Sequence, residues 1–186
     1  MKRLFLAALI LPLVLFISGC LTVEYKKYKF EFTGENSGIL TIKYINILSV
    51  MDDTLDVSDQ DFYELVTTYL EGDQIEQEFP EALIKSKRIF EENGQLCGEV
   101  VIEFNDLEQA RLFRLNDQGP YMYCLVCSST TETYDQSNGT FGGDVMPVVF
   151  WREDLKVLEL MSLVSVPDET TVSLLDDFKE WEKNNK

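Results

Sequence analysis

Residues 27–33 read Lys-Tyr-Lys-Phe-Glu-Phe-Thr, and residues 38–48 read Gly-Ile-Leu-Thr-Ile-Lys-Tyr-Ile-Asn-Ile-Leu. In the first run Tyr28, Phe30 and Phe32 fall on one face of an extended chain, and in the second Leu40, Ile42 and Tyr44 do the same. A period of two with β-branched and aromatic residues marks half-buried strands. The polar Gly34-Glu-Asn-Ser-Gly38 link turns the chain between them, so the two runs pair most simply as a hairpin.

Further strands follow. The runs Leu83–Phe90 and Leu96–Phe104 flank Asn93-Gly94, a strong hairpin signal that leaves open a two-residue or a bulged turn. Tyr121–Val126, Val145–Trp151 and Val157–Ser165 also read as strands, with Pro147 placing the second of these at a sheet edge. Residues 128–144, rich in Ser, Thr, Asn and Gly, predict a long exposed loop.

Three segments carry helical signals. Ser58 with Asp61 resembles a capping pair before Phe62, Leu65, Val66, Tyr69 and Leu70, which recur at helical spacing until Gly72. Asn105 with Glu108 predicts a short helix through about Leu115, and Leu174, Leu175, Phe178 and Trp181 line one face of a last helix. The expected fold is α+β, a mainly antiparallel sheet of about six to seven strands with two to three packing helices.

The amino terminus has a different grammar. Lys2 and Arg3 precede an apolar run from Leu4 to Ile17, and Ser18-Gly19 lead into Cys20. A charged start, a short apolar middle and small residues before a cut describe an export signal. As a helix the 14 residues Leu4 to Ile17 reach only about 21 Å, short of the ~30 Å hydrocarbon core. The Ile17-Ser18-Gly19-Cys20 ending resembles the lipobox of bacterial lipoproteins. That resemblance implies diacylglycerol on the Cys20 thiol, cleavage just before Cys20, and usually acylation of the new amine as well. Leu21, where retained lipoproteins commonly carry Asp, points to the outer membrane in a cell with two membranes.

The organisation expected is therefore a cleaved signal over residues 1–19, a lipidated tether over 20–25 and a single globular α+β domain over 26–186. Removing residues 1–19 from 186 leaves 167, enough for one domain with a core. The net charge of −17 becomes −19 once Lys2 and Arg3 leave, a surplus that repels nucleic acid. Lys26, Lys27 and Lys29, close to the anchor, are candidates to meet anionic headgroups.

The chain has no histidine, which removes Ser-His and Cys-His nucleophile pairs and most catalytic zinc sites. No phosphate-binding or dinucleotide motif occurs, so no cofactor and no catalytic residue is nominated. The acids Asp52, Asp53, Asp56, Asp59 and Asp61 fail the calcium-loop pattern, because Asp61 stands where glycine is needed and Thr67 where glutamate is. Among the cysteines, a strand running through Cys124 to Cys127 would point the two to opposite faces. Export then allows Cys97 to bridge to Cys124 or Cys127 across adjacent strands. Three functional readings follow, in order: a lipid-anchored, non-enzymatic binding or structural module with an envelope partner; a carrier of an apolar ligand held between sheet and helices; and a carboxylate-based hydrolase.

Overall fold

The computed structural model describes residues 20–116, 118–127 and 131–185. Residues 1–19, read above as an export signal, lie outside them. The fold is α+β and mainly antiparallel, with more strands than the sequence suggests. Strands β1 (Leu21–Phe32), β2 (Gly38–Val50), β3 (Leu83–Glu92), β4 (Gln95–Phe104), β7 (Thr133–Ser137) and β10 (Val157–Leu163) form one sheet in the order β3-β4-β2-β1-β10-β7, and β11 (Thr171–Ser173) pairs with the far end of β2. A second sheet holds β5 (Phe113–Leu115), β6 (Gln118–Cys124), β8 (Thr140–Phe141) and β9 (Val148–Trp151) in the order β5-β6-β9-β8.

Tyr28, Phe30, Leu40, Ile42, Val100, Ile102, Leu158 and Leu160 form the inner face of the large sheet. The small sheet covers it with Tyr121, Tyr123, Val149 and Trp151. Aromatic rings dominate this contact: Phe32 stacks on Tyr121 with centroids 4.6 Å apart, and Phe30 meets Trp151 edge-on at 6.3 Å. Each large apolar side chain fully buried here contributes about 1.5–3 kcal/mol.

The remainder of the same face is covered by helices. Helix α1 (Ser58–Glu64) runs directly into a π-helical turn, Leu65–Leu70, followed by α2 (Gln74–Glu78), while α3 (Leu175–Asn184) comes from the carboxyl end. Ile47, Phe62, Leu65, Val66, Leu96, Leu174 and Phe178 make this second core. Inward parity changes where the two covers meet. In β2 the even positions Leu40, Ile42 and Tyr44 face inward, then Ile47 does; in β1 Lys26 and Tyr28 give way to Val23 and Leu21. Asn46, with φ of +58°, makes the break in β2, and its side-chain amide donates to Glu24 of β1 at 2.7 Å.

Several expectations are corrected. Strand β1 starts at Leu21, paired with Ser49, so residues 21–25 are sheet and no tether separates Cys20 from the body. The turn at Asn93-Gly94, left open between two forms, is the two-residue one: both residues have positive φ, and Glu92 pairs with Gln95. The helix expected after Asn105 is only a single turn, Glu108–Ala110, because Arg111 takes a left-handed conformation and the chain re-enters a strand. Pro147 ends before β9, which is an interior strand of the small sheet.

Within the polar stretch expected as loop, Thr133–Ser137 and Thr140–Phe141 are the strands β7 and β8, because side chains there are used internally. Tyr134 stacks on Phe141 at 4.2 Å. Asn138 accepts from the Trp151 indole N–H and from the Glu159 amide, both at 2.8 Å, and donates to the Val157 carbonyl at 3.0 Å. Asn138→Ala should therefore strand the buried Trp151 N–H and cost ~2–3 kcal/mol in urea unfolding. A loss below about 0.5 kcal/mol would show that the turn is not held by this side chain.

Candidate functional site

A cavity of about 200 Å³ opens at the seam between the two cores. Its floor is sheet, with Tyr44, Ile47, Gly98 and Val100, and its roof is helical, with Leu65, Tyr69, Leu70 and Ile75. The roof owes its shape to the π turn. An i→i+5 winding sets Leu65 and Leu70 one above the other, which an α-helix would not do. The first residues after Cys20, Leu21, Thr22 and Val23, line one wall.

Gly98 keeps the floor open. It sits inside β4, directly opposite Tyr44, and has no positive φ that would require glycine. A Cβ added there would reach 3.3 Å from Ile47 Cδ1 and 3.7 Å from Tyr44 Cβ, inside the cavity's own wall. Glycine in a strand interior costs ~0.5–1 kcal/mol relative to alanine and often marks a close approach by a ligand or another backbone.

The polar lining is sparse. Burial, then the charge of Glu78, drives the Tyr44 phenol upward; burial, then Glu64 and Glu78, raises Tyr69. Both phenols therefore stay protonated at neutral pH and can donate a hydrogen bond. The carboxylates at the rim are already paired, Glu99 with Arg88 at 2.7 Å and Glu78 with Arg111 at 3.9 Å. Arg111 also donates to the Glu78 carbonyl and stacks its guanidinium on Phe79.

Next to the cavity lies a buried ionic network that the sequence does not announce. Glu132, whose side chain is 1% exposed, accepts from Lys26 Nζ at 3.1 Å and Tyr28 Oη at 2.8 Å on one oxygen, and from Ser162 Oγ at 2.5 Å on the other. Burial, then Tyr123 and Glu132, raises the Tyr28 phenol, so it remains a donor. Lys26 is thus drawn inward to Glu132. Lys29 instead pairs with Glu31, and Lys27 alternates with Lys26 to the outer face. The three lysines do not form one surface for headgroups.

The Cys20 backbone is held on both sides. The Cys20 carbonyl accepts from Val50 N at 2.9 Å, and Cys20 N donates to Asp61 Oδ1 at 3.3 Å. Its surroundings are acidic. Burial, then Asp61, Asp52 and Glu64, raises its thiol. Asp61 does not cap α1, contrary to the capping pair expected with Ser58; its carboxylate turns inward to Ser49 Oγ at 2.6 Å.

The cysteine pairing is corrected too. Cys124 and Cys127 form a disulfide with Cα atoms 5.4 Å apart. Strand β6 stops at Cys124, and the turn at Leu125-Val126 folds Cys127 back within bridging range. Cys97 is a buried free thiol in the other sheet, at an outward parity between the inward Leu96 and Gly98, and cannot reach either partner. Among the described residues no cluster of His, Cys, Asp or Glu could hold a metal ion, and no helix is long and apolar enough to cross a membrane.

Comparisons with protein families, curated proteins and solved structures found no match to this chain. The functional reading rests on the geometry above.

Glu132→Gln keeps the volume but leaves the Lys26 ammonium without its counter-charge. Because Lys26 still touches solvent, the loss should fall at the lower end of the range for broken buried pairs, about 3 kcal/mol. The double variant Lys26→Met with Glu132→Gln should lose clearly less than the two single losses combined. Strict additivity in urea unfolding would show that the pair is not coupled.

Proposed function

We propose that this protein is a lipid-anchored, non-enzymatic binding module on the extracytoplasmic side of a bacterial membrane. Acyl chains on Cys20 hold it there, at the outer membrane where the cell has two. In the sheet–helix cavity it takes a small ligand with an apolar body and a hydrogen-bond-accepting group. The observation that carries the binding role is Gly98: a central strand gives up a side chain where no backbone conformation demands it, and the result is an apolar hollow.

The hollow suits one ring or a short alkyl segment rather than a large cofactor, being smaller than the roughly 300–1,000 Å³ of drug-sized ligand sites. Tyr44 and Tyr69 supply the donors. Ion pairing of both rim carboxylates ranks hydrolysis below binding, since a general acid and base need one free acid and one free base. Location supports the reading as well. Val23 lies three residues from Cys20, so at ~3.3 Å per strand residue the cavity wall begins within about 10 Å of the anchor. A ligand could pass between bilayer and cavity over that distance.

Titration with 1-octanol tests the cavity. Saturable methyl shifts are expected at Ile47, Ile75 and Val100, and Gly98→Val should abolish them while the far-ultraviolet circular dichroism stays native. Shifts that never saturate, or that survive Gly98→Val, would remove the binding role.

Metabolic labelling with a fatty-acid analogue tests the anchor. Label should enter the native chain and be absent from Cys20→Ser, which should leave the membrane fraction. Equal labelling of both would place any lipid elsewhere.

A further inference from the structure

Asp61 is a buried carboxylate without a basic side-chain partner. It is 2% exposed, and among the described residues no lysine or arginine pairs with it. Its two oxygens accept from Ser49 Oγ at 2.6 Å and from the main-chain nitrogen of Cys20 at 3.3 Å. Burying a carboxylate on two neutral donors is costly, because nothing offsets the charge taken out of water. The charged groups facing Cys20 add to the deficit: Asp52 from the β2–α1 connection, and Asp61 and Glu64 from α1, are all acidic.

We propose that Asp61, steadied by Ser49, is a socket for the α-ammonium group created when the chain is cut before Cys20. The inference rests on the lipoprotein reading, which places the cut there. Hydrolysis of the Gly19–Cys20 peptide bond consumes one water, leaves a carboxylate on Gly19 and frees an amine on Cys20. That amine takes up a proton from solvent at neutral pH. The nitrogen that donates one neutral hydrogen bond in the uncut chain then carries a full positive charge against the carboxylate it already touches. Cutting completes an ion pair whose other half is built into the fold.

Two consequences distinguish this from a plain amino terminus. The ion pair holds the Cys20 amine in its protonated, unreactive form, so it remains free of acyl groups, unlike the amines of most proteins with this kind of signal. The Cys20 carbonyl is fastened to Val50 N as well, so the lipid-bearing residue becomes a fixed corner of the sheet instead of a swivel.

The test uses the full chain expressed in a lipidating bacterium and purified from membranes in detergent. Intact mass and N-terminal peptide analysis come first, then the pH dependence of amine labelling by an N-hydroxysuccinimide ester. A start at Cys20 with diacylglyceryl and a free amine is expected. Labelling at pH 8 should be about tenfold or more slower than for an ordinary α-amine of pKa ~7.7–8.0. Asp61→Asn should restore the ordinary rate, whereas Ser49→Ala, which keeps the carboxylate, should stay slow. If Asp61→Asn does not fold, the pH profile of the native protein decides alone.

A free amine reacting at the ordinary rate, or an N-acylated Cys20, overturns the socket while the lipoprotein reading stands. A chain beginning at Met1 without lipid overturns both.

Discussion

The structure depends on one change of direction in a strand. Asn46 adopts a left-handed conformation in β2, and its side chain is tied to Glu24 in the neighbouring β1. Both strands continue in register through the break, so the sheet is not interrupted, yet the side chains facing inward switch parity. One sheet can therefore serve two covers. Ahead of the break its aromatic and aliphatic face meets a second sheet; beyond it, Ile47, Val23 and Leu21 meet helices. The cavity lies under the helical cover, at the seam where the inward parity of the sheet changes. Tyr44, the last inward residue before the break, packs against both cores and lines the cavity.

The same seam explains why charge is tolerated indoors. Lys26 stands on the inner face next to it, where an aliphatic side chain would complete the sandwich. Glu132, entering from the segment before β7, satisfies that ammonium and uses Tyr28 and Ser162 to occupy its remaining lone pairs. No side-chain nitrogen or oxygen among the described residues is buried without a partner. A fully bonded network of this kind gives little net stability over an apolar core, but it penalises any arrangement that separates its members. It fixes β7 against β10 and β1, and so fixes the polar hairpin that carries Asn138.

With β1 beginning at Leu21, Cys20 joins the sheet directly, with no flexible linker between them. The corner of the sheet holding Cys20, the β2–α1 connection and α1 is acidic, with Asp52, Asp61 and Glu64 around Cys20. The outward disulfide, Cys124 to Cys127, closes a turn at the opposite sheet and takes no part in the cavity.

By itself the sequence determined what is local. The period-two runs gave β1, β2 and β4, Asn93-Gly94 gave a hairpin, the Phe62–Leu70 and Leu174–Trp181 spacings gave helices, and these suffice for an antiparallel α+β class. The absence of histidine and of phosphate-binding glycines narrowed the chemistry, and Cys20 stood out from its neighbours alone. Tertiary structure decided whatever required residues distant in the chain to meet. The segment 128–144 reads as loop because its side chains are polar, yet residues 133–141 form strands because Asn138 and Glu132 find donors on β9, β10 and β1. Gly98 reads as a weak point in a strand until Tyr44, Ile47 and the π turn surround it. Asp61 reads as a helix-start acid until Ser49 and Cys20 come within bonding distance. Cys124 and Cys127 read as opposed until the strand ends between them. Periodicity records which way a side chain points along its own element; it holds no record of what stands across from it, and both the cavity and the charge pairs are made across elements.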